Sequence, residues 1–296
     1  PFDKYKINQR KTIIEDRVAE VKIPFVYVNQ FGGQDELVFD GSSLVMNGNK
    51  EVVFEAPSWE ENTSLVEFNV SEKKFNDLPF DKAKVSDLEN IYMAMVIGLR
   101  DYVAKNNFPG VILGLSGGID SAFCAAVAVD ALGKDKVNAY MLPSVYTSTN
   151  SLDDAKDCAK RLEIHLDSIP ISNTFLSLED SLEELFKGLP TDITEENLQS
   201  RIRGTILMAI SNKIGKMLIT TGNKSEVSVG YSTLYGDMNG GFNPIKDIYK
   251  TELYALANWR NLNVPKNVFL KKKNIIPETI ISKEPTAELR DNQKDS

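Results

Sequence analysis

Residues 114–121 read Gly-Leu-Ser-Gly-Gly-Ile-Asp-Ser, set between the apolar run Val111–Leu113 and an apolar helical pattern from Ala122 to Leu132. The stretch therefore reads as a turn from a buried strand into a helix. Gly117 and Gly118 allow the backbone to turn tightly and leave room for a ligand against it. Amides at the start of the helix would face a phosphate. Ser116 and Ser121 add hydroxyl donors. Asp120 would repel a bare phosphate, so it points to a metal between carboxylate and phosphate. The plainer role for Asp120 is a helix cap.

Two other motifs compete for these residues. Gly114-Leu115-Ser116-Gly117-Gly118 fits G-x-S-x-G, the nucleophile elbow of hydrolases. That chemistry needs a later histidine, and the chain has one, His165. The G-x-x-x-x-G-K-[ST] phosphate loop does not fit, because no lysine follows the glycines.

Strand and helix patterns alternate after this point. Strand 111–115 leads to helix 120–132, strand 137–142 to helix 151–162, and a short strand near 165–170 to helical stretches near 173–187 and 195–214. Strand Met217–Thr220 and a helix from about Asp247 to Leu262 follow. This alternation predicts an α/β fold with a parallel sheet and helices on both faces. Ligands bind such sheets beyond the carboxyl ends of the strands. Gly114, Pro143 and Thr221 all fall at such ends.

The 296 residues suffice for one large or two moderate domains, and 42% apolar content permits a proper core. A net charge of −8 argues against nonspecific nucleic-acid binding. Cys124 and Cys158 form no CxxC pattern and no disulfide framework, which fits a reducing cytoplasm. No apolar run approaches a membrane span and no signal peptide is visible. The sequence starts at Pro1 rather than methionine, as expected of a piece of a longer protein.

Before the alternating region, Arg10–Val21 is helical in character and Phe25–Val28 is a short β run. Leu44–Met46 ends at the turn signal Asn47-Gly48. Residues 71–86 are polar, contain Pro79, and read as a linker. A helix follows from about Asp87 to Ala104, with Leu88, Ile91, Met95 and Leu99 on one side. Lys271–Lys273 is a solvated charge run, and the stretch to Ser296 is polar.

The run Ser116–Ser121 resembles the pyrophosphate loop of the N-type ATP pyrophosphatases, which include NAD, GMP and asparagine synthetases. Residues 220–244, from Thr-Thr-Gly-Asn-Lys-Ser-Glu to Gly-Gly-Phe-Asn-Pro, resemble the corresponding block of glutamine-dependent NAD synthetases. Asn197-Leu198-Gln199-Ser200-Arg201-Ile202-Arg203-Gly204 resembles the helix preceding that block. Glu284–Arg290 resembles a mobile segment of the same family. Residues 23–46 look like the closing part of a nitrilase-type glutaminase domain.

The resemblance implies an adenine nucleotide alpha hydrolase-like synthetase domain over 87–296, incomplete at its C-terminus. It implies a glutaminase remnant over 1–70, whose Cys, Glu and Lys would lie upstream. The implied reaction adenylates deamido-NAD with ATP, releases pyrophosphate, and lets ammonia displace AMP to give NAD. Glutamine would supply the ammonia in the longer protein. By the same resemblance Gly114–Ser121 and Thr221 bind ATP, Asn197 and Glu226 contact deamido-NAD, and Asp120 and Glu226 hold Mg²⁺. Lys6 matches a lysine that contacts glutamine. Arg201, Lys224 and Lys246 are further candidate anion contacts, and Asp237 is either a turn residue or a ligand contact. The family is generally oligomeric, so a homo-oligomer is expected, with no nucleic-acid or membrane partner. The competing readings are another amide-forming ATP pyrophosphatase such as a GMP synthetase, a nucleotide-binding module without catalysis, and a serine hydrolase using Ser116.

Overall fold

Ile14 and Val18 lie one helical turn apart, and Leu44 and Met46 lie two residues apart, so each pair presents one face of its element. In the computed structural model these four buried side chains form a single core cluster. The structure describes residues 1–81 and 85–290, and the chain divides into two units, Pro1–Tyr102 and Val103–Ser296.

In the first unit, helix α1 (Lys6–Val21) precedes five short strands: β1 (Phe25–Tyr27), β2 (Phe31–Gln34), β3 (Leu37–Asp40), β4 (Leu44–Met46) and β5 (Val52–Glu55). β4 pairs antiparallel with β1 on one side and β5 on the other, while β2 and β3 form a hairpin. The buried Asp40 carboxylate accepts from Arg10 at 2.9 Å and Asn29 at 3.0 Å, which compensates its loss of solvent. The stretch expected to be linker holds a strand, β7 (Lys74–Phe75), paired with β6 (Phe68–Asn69). The Asn47 side chain satisfies both backbone groups of Phe75, at 3.0 and 2.8 Å. Residues 82–84 of that stretch lie outside the described residues. Helix α2 (Asp87–Lys105) closes the unit, and its Asp101 accepts the Gly33 amide at 2.7 Å.

The second unit follows the alternation. Its elements are β8 (Val111–Gly114), α3 (Ile119–Leu132), β9 (Val137–Met141), α4 (Thr149–Leu162), β10 (His165–Ser168), α5 (Ser172–Phe186), α6 (Ile193–Ile214) and β11 (Met217–Leu218). Three further helices follow: α7 (Lys224–Val229), α8 (Lys250–Leu262) and α9 (Glu278–Ser282). The four strands form one parallel sheet in the order β10-β9-β8-β11. Strand order reverses beside β8, so a crevice opens at its carboxyl end. On one face Leu207, Met208 and Ile210 of α6 cover Ile112, Tyr140 and Leu218. On the other face, α3 packs on β8 and β9, and α4 on β9 and β10. α3 is buried along almost its whole length, as a predominantly apolar helix must be. Its one interior carboxylate, Asp130, pairs with the fully buried Arg260 of α8 at 2.6 Å. Arg260 also donates to three backbone carbonyls, so the pair leaves no charge uncompensated.

Several boundaries differ from the sequence expectation, among them the start of α1, at Lys6 rather than Arg10. The last strand ends at Leu218, and Ile219 continues only as a bridge to Phe242. The helix expected from Asp247 begins at Lys250, because Ile245–Ile248 closes a turn first. α7 and α9 span six and five residues, too short for periodicity to register.

Candidate functional site at the carboxyl edge of the sheet

Leu115 extends β8 by donating its amide to the Tyr140 carbonyl at 2.9 Å. The chain then turns. Gly117 has φ of +83°, and a Cβ built there would lie 2.2 Å from the Ser151 carbonyl oxygen. Both the dihedral and the approach of α4 therefore require glycine. Gly118 caps α3, and the buried Ile119 anchors the helix start. The two serines tie the loop together. Ser116 N donates to Ser121 Oγ at 3.2 Å, the two hydroxyls are 3.1 Å apart, and Gly118 N donates to Ser116 Oγ at 3.2 Å. The result is a preformed concave loop of hydroxyls and amides.

Charge collects beside it. One Asp120 oxygen accepts from Asn223 Nδ2 at 2.7 Å, and the other pairs with the Lys250 ammonium. Glu226 Oε1 stands 3.9 Å from the same ammonium. The other Glu226 oxygen accepts the Asn223 amide at 3.1 Å, completing the capping box that starts α7. Burial and the Asp120 charge push the Glu226 carboxyl up to about 7. Burial also raises Asp237, despite a 2.8 Å bond from the Thr233 amide.

Two adjoining cavities open here, of about 240 and 270 Å³. Ser116, Ser121, Thr221, Asp237, Ala287 and Glu288 line both. Gly118, Ile119, Asp120 and Glu226 line the first, which is polar near Lys250. Gly114 and Leu115 line the second, whose wall is apolar at Leu142, Leu152 and Leu207. Residues 283–290 cross the opening. The Ser148 and Ser151 hydroxyls each lie 2.7 Å from Glu288 Oε1, the Ser148 amide donates to Oε2 at 3.1 Å, and Gln199 Nε2 donates to the Leu289 carbonyl at 2.9 Å.

Among the remaining sequence candidates, Asn197, Arg201, Lys224 and Lys246 of the second unit do not line these cavities. Asn197 accepts from the Thr233 hydroxyl at 2.9 Å, tethering the 233–237 loop to α6. Arg201 donates to the Leu234 carbonyl at 3.2 Å. Lys224 lies over the Tyr249 ring at 4.5 Å, and Lys246 pairs with Asp247 at 2.9 Å. Lys6 is an exposed residue of α1, in the first unit. His165 sits in register with Asn138, which is itself level with Ile112. It bonds Asp167 at 2.8 Å, far along the sheet from Ser116, and so provides no base for an elbow nucleophile.

Among the described residues no group of three or more acidic, histidine or cysteine side chains gathers as a metal site. Asp120 and Glu226 still share one cation, Lys250, between them. Two carboxylates so placed fit Mg²⁺, which characteristically takes one or two carboxylates and fills its shell with phosphate oxygens and water. Reading the sequence missed Lys250, Ser148, Ser151 and Glu288. Asn223 was within reach, since Asn-x-x-Glu before an apolar run is a capping-box signal.

A doubly wound α/β domain, with its cavities at the switch point of the sheet and a glycine–serine loop in their floor, is the class that this geometry defines. The NAD synthase family model matches residues 91–296, and the chain belongs to that family. It is 48% identical over 296 residues to a glutamine-dependent NAD(+) synthetase of Rhodobacter capsulatus, covering all of this chain and 54% of the relative. Glutamine-dependent NAD+ synthetase from Acinetobacter baumannii, solved in complex with adenosine diphosphate, superposes with a TM-score of 0.89 at 44% identity. That match covers 97% of this chain and 53% of the other. The NH3-dependent NAD synthetase of Campylobacter jejuni, solved with nitrate ion, matches 60% of this chain and 76% of its own at 33% identity and a TM-score of 0.55. The chain thus spans about half the length of the curated relatives it matches.

Proposed function

We propose that this chain carries the synthetase part of an enzyme that amidates deamido-NAD to NAD. ATP first adenylates the nicotinate carboxylate, with pyrophosphate leaving. Ammonia then displaces AMP, and glutamine supplies that ammonia in the full protein. A carboxylate is a poor electrophile because its oxygen leaves badly, so adenylation is needed to provide a leaving group. The protein's task is to align two anionic reactants and to neutralise charge on the departing pyrophosphate.

The observation that carries this reading is the preformed loop Ser116–Ser121 beside the Asp120–Lys250–Glu226 cluster. Ser116, Ser121 and the amides opening α3 are suited to hold the pyrophosphate, with Gly114, Leu115, Gly117, Gly118 and Ile119 shaping the cradle. Lys250 adds a cation that reaches the same space. Thr221 lines both cavities and is suited to contact ATP. Mg²⁺, held by Asp120 and Glu226, would screen phosphate charge. Glu226 and Asn197 are assigned to the deamido-NAD side, and Lys6 to glutamine. Arg201, Lys224 and Lys246 carry no assigned role in this reading. A cytoplasmic setting and a homo-oligomer complete it.

The test is product analysis on the full protein given ATP, deamido-NAD and ammonium. AMP and pyrophosphate should appear in step with NAD. ADP and phosphate as products would defeat the reading. Turnover of GMP precursors in place of deamido-NAD would move it to another amide ligase. Labelling of Ser116 by a fluorophosphonate would favour a hydrolase.

A further inference from the structure

Arg203 lies on α6 one helical turn after Gln199, so the two face the same side. Its Nε donates to the Leu142 carbonyl at 3.0 Å, just past the carboxyl end of β9. This bond fixes the guanidinium plane at the sheet edge and leaves the two terminal nitrogens for other partners. Arg203 lines the second cavity together with Ser116 and Ser121. Among the described residues the Leu142 carbonyl is its one hydrogen-bond acceptor, and no carboxylate stands within ion-pair distance. Burial pulls its pKa down to about 10, while the Glu288 charge works in the opposite direction.

A half-buried cation whose nearest counter-charge, Glu288, lies beyond ion-pair distance is costly, and an anion entering the cavity lowers that cost. The guanidinium fork matches two oxygens of a phosphate. The wall beyond it is apolar, at Leu142, Leu152 and Leu207, which suits a flat heterocyclic base. The same cavity therefore combines an apolar wall, a cation bonded to the backbone of that wall, and the two loop serines.

We propose that Arg203 is a nucleotide-binding residue whose guanidinium takes phosphate oxygens of the nucleotide seated between that apolar wall and the Ser116–Ser121 loop. The proposal rests on the loop being a phosphate site. It differs from it in assigning a cation from α6, a different element, to the same ligand.

The experiment is calorimetric titration of the full protein with ADP and with adenosine, for the parent and Arg203→Gln. Glutamine keeps a donor for the Leu142 carbonyl and removes the charge. ADP binding should weaken by about 10–100-fold, the effect of losing a charge-assisted hydrogen bond, while adenosine binding stays unchanged. Arg203→Lys, which keeps the charge and loses the fork, should fall between the two, and it serves as the deciding variant if the glutamine variant melts early. Unchanged ADP affinity overturns the proposal, and so does an equal loss for adenosine, which would mean stacking on the base. A parent that fails to bind inorganic pyrophosphate in competition with ADP would sink the loop reading and this proposal together. A parent that binds it, beside an unaffected Arg203→Gln, would sink this proposal alone.

Discussion

The floor of the cleft and the strap across it are built on opposite principles. In the floor, each loop hydrogen bond joins residues two to five apart in sequence. In the strap, Glu288 reaches Ser148 and Ser151 across 140 and 137 residues, and Gln199 reaches Leu289 across 90. A short loop closed by its own side chains costs little entropy to order. A distant segment held by a few side-chain bonds opens locally at low cost. The floor is thus suited to hold charge in fixed geometry, and the strap to regulate access.

The contrast is most open to attack at Asp120. Asp120→Asn preserves size and a bond to Asn223, but removes the charge facing Lys250 and the phosphate space. Turnover should fall by about 10²–10³-fold with the melting temperature little changed. Pyrophosphate release across a Mg²⁺ titration checks this, and parent-like turnover at low Mg²⁺ would make Asp120 a mere cap. Gly117→Ala strikes the floor sterically. The left-handed dihedral and the Ser151 carbonyl together should cost about 2–4 kcal/mol, read by urea unfolding. A cost near zero would mean that the loop is as pliable as the strap.

Glu288→Ala tests the strap. It should raise the KM for ATP roughly fivefold, the order of one hydrogen bond, while unfolding in urea changes by less than about 1 kcal/mol. A loss of stability as large as that of Gly117→Ala would erase the distinction. Glu226→Gln tests the charged cluster through stability alone. Glu226 has a raised pKa, so its ionisation opposes folding. That penalty is absent below the ordinary carboxylate value of 4.5 and complete above about 7. The glutamine variant should therefore be more stable than the parent at pH 8 without metal, by about 1 kcal/mol after solvent screening, and the gap should close towards pH 4. In the parent, Mg²⁺ affinity should drop as pH falls through 7. A stability gap that ignores pH would remove Glu226 from the charged cluster.

Much of this organisation was legible beforehand. The alternating pattern from Val111 to Met217 led to the parallel sheet, since a two-sided strand such as Val111–Leu113 and a predominantly apolar helix such as α3 each have one comfortable environment. The serine–glycine loop was legible for the same local reason. Asp130 and Arg260 were not, because nothing in an isolated helix pattern says which charge will meet which. The same holds for Lys250, which starts α8 after 129 residues of intervening chain and still reaches Asp120.

The sequence by itself determined the loop, its glycines and the strand-to-helix turn that presents it, because dihedral limits and nearest-neighbour hydrogen bonds act over a few residues. Only the tertiary structure decided which groups face that loop. Asn223, Lys250 and Glu288 come from separate elements, and their convergence depends on how the helices pack around β8. The same packing left Asn197 tying down a loop, and His165 level with Ile112 rather than beside Ser116. Side-chain chemistry states what each group can do, but distance decides what it does, and distance is a property of the folded chain.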